Sequence, residues 1–133
     1  MNSVFLDTVG LLALWDRSDQ WHQGAETAFE SLLSARVRLI TTTFVMLETG
    51  NAASRRPYRS DVVDLKTELE RLGNLITPTP SDWAAAWLAY REGLANQAGI
   101  IDQTSFIVMR RLGITHAFTN DRHFQAAGLI TLF

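Results

Sequence analysis

The chain has no cysteine among its 133 residues. Disulfide frameworks and thiolate metal sites are therefore excluded. Histidine is scarce as well. The three present, His22, His116 and His123, do not show zinc-ligand spacing. Neither charge sign dominates: 12 basic against 14 acidic side chains leave a formal charge of -2. No global basic field marks a non-specific polyanion binder, although an enzyme with a local basic rim stays open. No glycine-rich phosphate loop occurs, which argues against a nucleotide-cofactor oxidoreductase. The first apolar run is not followed by Asp-x-Asp, nor is a suitable Lys found late in the chain, so a receiver-type phosphoryl-transfer protein is disfavoured. No stretch is apolar enough to span a bilayer. The opening MNSVFLD lacks a basic segment, and Asp7 interrupts its apolar run, so no secretory signal is expected. The expected location is the cytoplasm.

What is present fits one domain, residues 1–133, of common size. Four Trp and seven Phe supply material for one core. Ser3 to Leu6 reads as a buried strand with Asp7 at its end. Thr8 can cap a helix over Val9 to Trp15, and a longer helix carries Trp21, Ala25, Ala28, Phe29, Leu32 and Leu33 at helical spacing. Val37 to Thr41 reads as a second strand. The helix after it carries Phe44, Val45, Leu47 and Glu48 and ends before Arg55-Arg56-Pro57. Ser60 and Asp61 open a helix that stops at Gly73-Asn74. Leu75 to Thr77 is a short strand. Thr79-Pro80-Ser81-Asp82 has the composition of a helix start, and Trp83, Trp87, Tyr90 and Leu94 form one apolar stripe after it. Gln97 to Ile101 is expected as a loop and Asp102 to Leu112 as a helix. Thr115 to Thr119 is a fourth strand, followed by a helical turn near Gln125 and a fifth strand, Leu129 to Leu132. Strands alternating with helices predict an α/β domain with a mostly parallel sheet of about five strands.

The segment Ile114 to Phe124, ITHAFTNDRHF, ends an apolar run on an acid before a loop. Three further acids can join Asp121 there. Ligands of open parallel sheets bind beyond the carboxyl ends of the strands. Asp7 ends strand one, Asp121 follows strand four, and Asp102 starts the helix feeding strand four. Glu48 lies in the helix after strand two. At about 100° per residue, Glu48 falls between Phe44 and Val45 with Ala52, and Asp102 between Phe106 and Met109. A carboxylate on an apolar face is costly unless paired or bound to a metal. Singly, Asp7 and Asp121 read as turn residues, Asp102 as a cap and Glu48 as a partner of Arg55 or Arg56. One shared site accounts for all four together. Four acids without a nearby Lys, Cys or His ligand suit a hard cation, Mg²⁺ or Mn²⁺, which would activate water for attack on a phosphodiester.

Three stretches carry a resemblance: FLDTVGLLALWDRSDQWHQGA, FVMLETGN and IIDQTSFIVMRRLGITHAFTNDRHF. Over nearly the whole chain they resemble the PIN-domain nucleases, and within them the VapC-type toxins of type II toxin–antitoxin pairs. The resemblance implies a three-layer α/β/α fold and a Mg²⁺- or Mn²⁺-dependent endoribonuclease. Asp7, Glu48, Asp102 and Asp121 would hold the metal and orient water. Thr119, with Ser105 and Thr8, would support them by hydrogen bonding. His123 and Phe124 are assigned to packing. Val9 stands where the family often has a small polar residue. A cognate VapB-type antitoxin, a homodimer and an RNA substrate (tRNA, rRNA or mRNA) are further implications. Leu11, Leu12, Trp15 and Trp21 are candidates to line an antitoxin groove. For RNA phosphates, Arg55, Arg56, Arg59 and Arg122 are the first candidates. The competing readings are a non-catalytic interaction module and a metal-dependent DNase.

Overall fold

Val4, Phe5 and Leu6 of β1 (Ser3–Leu6) are completely buried in the computed structural model, which describes residues 1–133. A strand apolar on both faces needs cover on both, as in the middle of a parallel sheet. Here the order is β3 (Leu75–Ile76), β2 (Arg38–Thr42), β1, β4 (His116–Phe118), β5 (Ile130–Thr131), and every pairing is parallel. Val4 and Leu6 join a core beneath α1 (Thr8–Trp15), α2 (His22–Ser34) and α4 (Arg59–Leu72). Phe5 and Ile40 join the opposite core, with Val45 of α3 (Thr43–Ala52), Phe106 and Met109 of α7 (Ile100–Leu112), and Phe124 of α8 (Arg122–Ala126). The alternation along β1 thus divides the molecule into three layers.

The chain leaves β1 for β2 on one side and returns later to β4 on the other. Such a reversal of strand order opens a crevice at the carboxyl ends of β1 and β4. Register places Leu6 beside Phe118, so Asp7 and Thr119 follow on adjacent strands. Gly10 makes this proximity possible. A Cβ on Gly10 would stand 2.0 Å from the Phe118 carbonyl oxygen, so only glycine lets α1 lie against β4 there.

The apolar stripe read on α5 (Pro80–Arg91) faces outward. Trp83, Trp87 and Tyr90 are exposed, whereas Ala86 and Ala89 are buried. Small residues let α5 approach α7 closely. The rings instead pack edge to face along the surface, Phe44 on Trp83, Trp83 on Trp87, and Trp87 on Tyr90. The helix start predicted at Thr79 is a full capping box with Asp82. Asp82 is buried, and Arg111 of α7 grips it through two bonds of 3.0 and 2.7 Å, locking α5 to α7.

The loop expected over Gln97 to Ile101 is shorter, because α7 already begins at Ile100, and a single turn wound left-handed, α6 (Leu94–Gln97), leads into it. Ala95, Asn96 and Gln97 have φ of 52°, 57° and 59°. For non-glycine residues this costs about 1–2 kcal/mol each. The buried Gln103 offsets part of that, its amide donating to the carbonyls of Leu94 at 2.8 Å and Ala98 at 3.4 Å. The strained turn therefore sets where α7, and with it Asp102, begins.

Candidate active site

The four acids predicted as a group converge at the crevice beyond β1 and β4. Asp7 leaves β1 and is 1% exposed. Its Oδ2 accepts a bond of 2.8 Å from the Thr119 hydroxyl. The same hydroxyl accepts the Asp121 backbone N–H at 3.1 Å. Thr119, fully buried at the end of β4, therefore fixes two of the acids at once. Asp121 caps α8, its Oδ1 accepting the His123 backbone N–H at 2.9 Å. Asp102 occupies the first turn of α7 and is half-buried. Glu48, also half-buried, projects from α3. Thr42 starts that helix by accepting the Val45 N–H at 3.1 Å, and Thr41 ties β2 to β1 through a 2.6 Å bond to the Leu6 carbonyl.

The electrostatics mark the group as one site. Burial pushes the Asp7 carboxyl up to about 8, and the charges of Asp102, Asp121 and Glu48 add to that push, against the Thr119 bond. Burial likewise raises Asp102 to about 6, assisted by Asp121 and Glu48 and opposed by His123. The neighbouring negative charges thus oppose ionisation of Asp7 and Asp102. No Lys or Arg is among the charges acting on Asp7 or Asp102. Buried and half-buried carboxylates with no Lys or Arg to balance them are a donor set for a hard divalent ion, whose charge would relieve the repulsion. The residues present fit such an ion.

Other expected supports lie differently. The Thr8 hydroxyl turns to α3, 2.9 Å from the Thr49 hydroxyl and 3.4 Å from the Val45 carbonyl, and bonds no acid. It braces the helix that carries Glu48. Ser105 is fully buried one turn after Asp102, and its hydroxyl has no partner. Arg122 is exposed beside Asp121. Arg55, Arg56 and Arg59 are exposed beyond the end of α3 and are not among the charges acting on Asp7 or Asp102. Arg59 donates to the Ser54 carbonyl at 3.1 Å, and Arg56 lines a depression with Trp15, Asp16, Arg17 and Tyr58. Of the groove candidates, Leu11 is completely buried and so lines no groove, whereas Trp21 is exposed.

Two residues escape the sequence reading. Gly10 carries no signal of its own beyond following Asp-Thr. His123, assigned to packing, sits at the acidic edge instead, its Nδ1 2.8 Å from Asp121 Oδ1. The available signal was its place two residues after a capping acid, which puts both in one turn. Phe124 alone is the packing residue, completely buried against Phe106.

Comparison with known proteins agrees with this architecture. The chain is 28% identical over 130 residues to the 23S rRNA-specific endonuclease VapC20 of Mycobacterium tuberculosis, covering 96% of this chain and 95% of that protein. The crystal structure of VapC20, described as a sarcin–ricin loop cleaving toxin, superposes with a TM-score of 0.77 at 27% identity over 96% of both chains. FitAcB from Neisseria gonorrhoeae shares the fold, with a TM-score of 0.64 at 14% identity over 98% of this chain and 96% of that one. The PIN domain model matches residues 4–129, so this chain belongs to the PIN-domain family.

Proposed function

We propose that this chain is a Mg²⁺- or Mn²⁺-dependent endoribonuclease, the toxin of a VapC-type toxin–antitoxin pair, formed by one domain and acting in the cytoplasm. The observation that carries the reading is Asp7: a buried carboxylate among Asp102, Asp121 and Glu48, with no Lys or Arg among the charges acting on it. The likeness to VapC20 supports endonuclease activity on structured rRNA, with a sarcin–ricin-type loop as the first candidate substrate.

In this reading Asp7, Glu48, Asp102 and Asp121 hold the cation. When bound, a divalent ion supplies Lewis acidity to a phosphodiester and makes water a stronger nucleophile near neutral pH. The side chains do the rest. Thr119 donates to Asp7 Oδ2 and so fixes the carboxylate at the crevice. The bond from the Asp121 N–H to Thr119 holds the two acids in register across β1 and β4. Arg122, exposed next to Asp121, is placed to meet a phosphate. The exposed ring series Trp83, Trp87 and Tyr90, with Leu47 and Leu88, supports protein partners, a second copy and an antitoxin.

The test is incubation of the purified chain with an rRNA fragment bearing the sarcin–ricin loop, tRNA, mRNA, unstructured RNA and single-stranded DNA. Each is run with Mg²⁺, Mn²⁺ or chelator. Metal-dependent cuts confined to RNA are expected. Cuts in DNA alone, or cuts indifferent to chelator, would overturn the proposal.

A further inference from the structure

A carboxylate-only account of the site leaves His123 without work. Its ring is not core: the side chain is 39% exposed, while Phe124 beside it is completely buried. Nor does α8 need the ring for its start, because Asp121 Oδ1 already accepts the His123 backbone N–H. The ring nevertheless faces the acids. Nδ1 lies 2.8 Å from Asp121 Oδ1, and the donor atoms of Asp102, Asp121 and His123 all fall within 4.8 Å of one another.

Those spacings match a coordination sphere. Ligands about 2.1 Å from an octahedral ion lie roughly 3 Å apart when adjacent and roughly 4.2 Å when opposite. The Nδ1 to Oδ1 separation is that of adjacent ligands. One ion can therefore touch all three groups with small side-chain adjustments.

We propose that His123 gives an imidazole nitrogen to the same cation that Asp102 and Asp121 hold, and so biases the centre toward Mn²⁺ over Mg²⁺. The inference rests on the metal reading of the acidic site and goes beyond it by adding a nitrogen donor. Imidazole suits first-row transition ions, whereas Mg²⁺ prefers carboxylate and water oxygens. The rival role is purely positional: Nδ1–H donates to Asp121 and the ring never meets the ion. His123→Gln separates the two, because Gln can still donate a hydrogen bond but lacks the imidazole nitrogen.

The experiment is pulsed EPR of the full chain loaded with Mn²⁺ alone, with Mg²⁺ competition titrations beside it. ¹⁴N modulation is expected in the wild type and in His22→Gln and His116→Gln, and should be lost in His123→Gln and His123→Ala. Mn²⁺ affinity should fall about tenfold or more in His123→Gln, while Mg²⁺ affinity changes less than about twofold. Circular dichroism confirms that the variants are folded. A wild-type Mn²⁺ complex without ¹⁴N coupling, or equal weakening of both ions, would overturn the role of His123 while leaving the acidic centre standing. No Mn²⁺ binding by the wild type, with RNA uncut, would remove the acidic metal centre and this inference together.

Discussion

Replacing Asp7 with Asn should make the metal-free protein more stable while destroying its activity. The carboxyl is 1% exposed and its folded-state pKa is raised from 3.8 to about 8, burial being the main cause. The sign follows from linkage. Between about pH 4 and pH 8 the unfolded chain ionises Asp7 and the native state resists, so the unfolded state binds fewer protons. Stability from this group is complete below pH 4 and is lost as pH rises through 8. By pH 8 the shift corresponds to a penalty on the order of 5 kcal/mol. Asparagine has no charge to bury, and its carbonyl can still accept the Thr119 hydroxyl. In urea with chelator at pH 8, the Asp7→Asn midpoint should lie above wild type by about 2.5 M, taking an m-value near 2 kcal/mol per molar. Near pH 4 the two curves should converge. Mn²⁺ should then raise the wild-type midpoint and leave the variant's nearly unchanged. An Asp7→Asn protein less stable than wild type at every pH would refute the claim that Asp7 is a buried, uncompensated charge.

Gly10→Ala should lose about 2 kcal/mol or more in thermal or urea unfolding, because its Cβ meets the Phe118 carbonyl at 2.0 Å and α1 must shift. Activity should fall with it, since Asp7 and Thr119 flank that contact. Thr119→Val removes the bonds to Asp7 and Asp121 at nearly constant volume. RNA cleavage should drop at least tenfold with the far-ultraviolet spectrum unchanged, and wild-type rates would exclude Thr119 as a positioning residue. Mn²⁺ affinity should rise between pH 5 and pH 8.5 as protons leave Asp102, near 6, and Asp7, near 8; a flat calorimetric profile would contradict the raised values. Arg111→Met removes the cationic partner of the buried Asp82, which keeps only its cap bonds with Thr79, and should cost roughly 2 kcal/mol in chemical denaturation.

The sequence discloses those parts of the molecule that local chemistry controls. Alternating apolar strands and capped helices appear in order, and the Thr79 start with Pro80 and Asp82 can be read directly because a capping box is a local device. The grouping of Asp7, Glu48, Asp102 and Asp121 is also readable. Their strand-end and inward-helix positions put them at one crevice in a parallel sheet. What is hidden depends on packing between distant segments. Trp83, Trp87 and Tyr90 form an apolar stripe by period, yet α5 packs through Ala86 and Ala89. Periodicity identifies a face but does not say which face is covered. The left-handed turn at Ala95 to Gln97 runs against residue preference and exists because Gln103 holds its carbonyls. Gly10 matters only through its clearance to β4, and Thr8 finds Thr49 rather than an acid. His123 reads as a packing residue of the Thr-x-Asp-x-His-Phe loop, as Phe124 does. Consecutive residues in a helical turn point about 100° apart, and that angle separates the core from the site.

The most direct test of the central claim is RNA cleavage by Asp102→Asn beside wild type, with Mn²⁺, with Mg²⁺ and with chelator, on the RNA that wild type cuts best. Asp102 is half-buried rather than fully enclosed, so Asn leaves the fold intact while removing a charge from the cluster. The account predicts cutting by wild type only with metal, and none by the folded variant under any condition. A folded Asp102→Asn protein that cuts at the wild-type rate would contradict a metal-dependent centre built from these four acids.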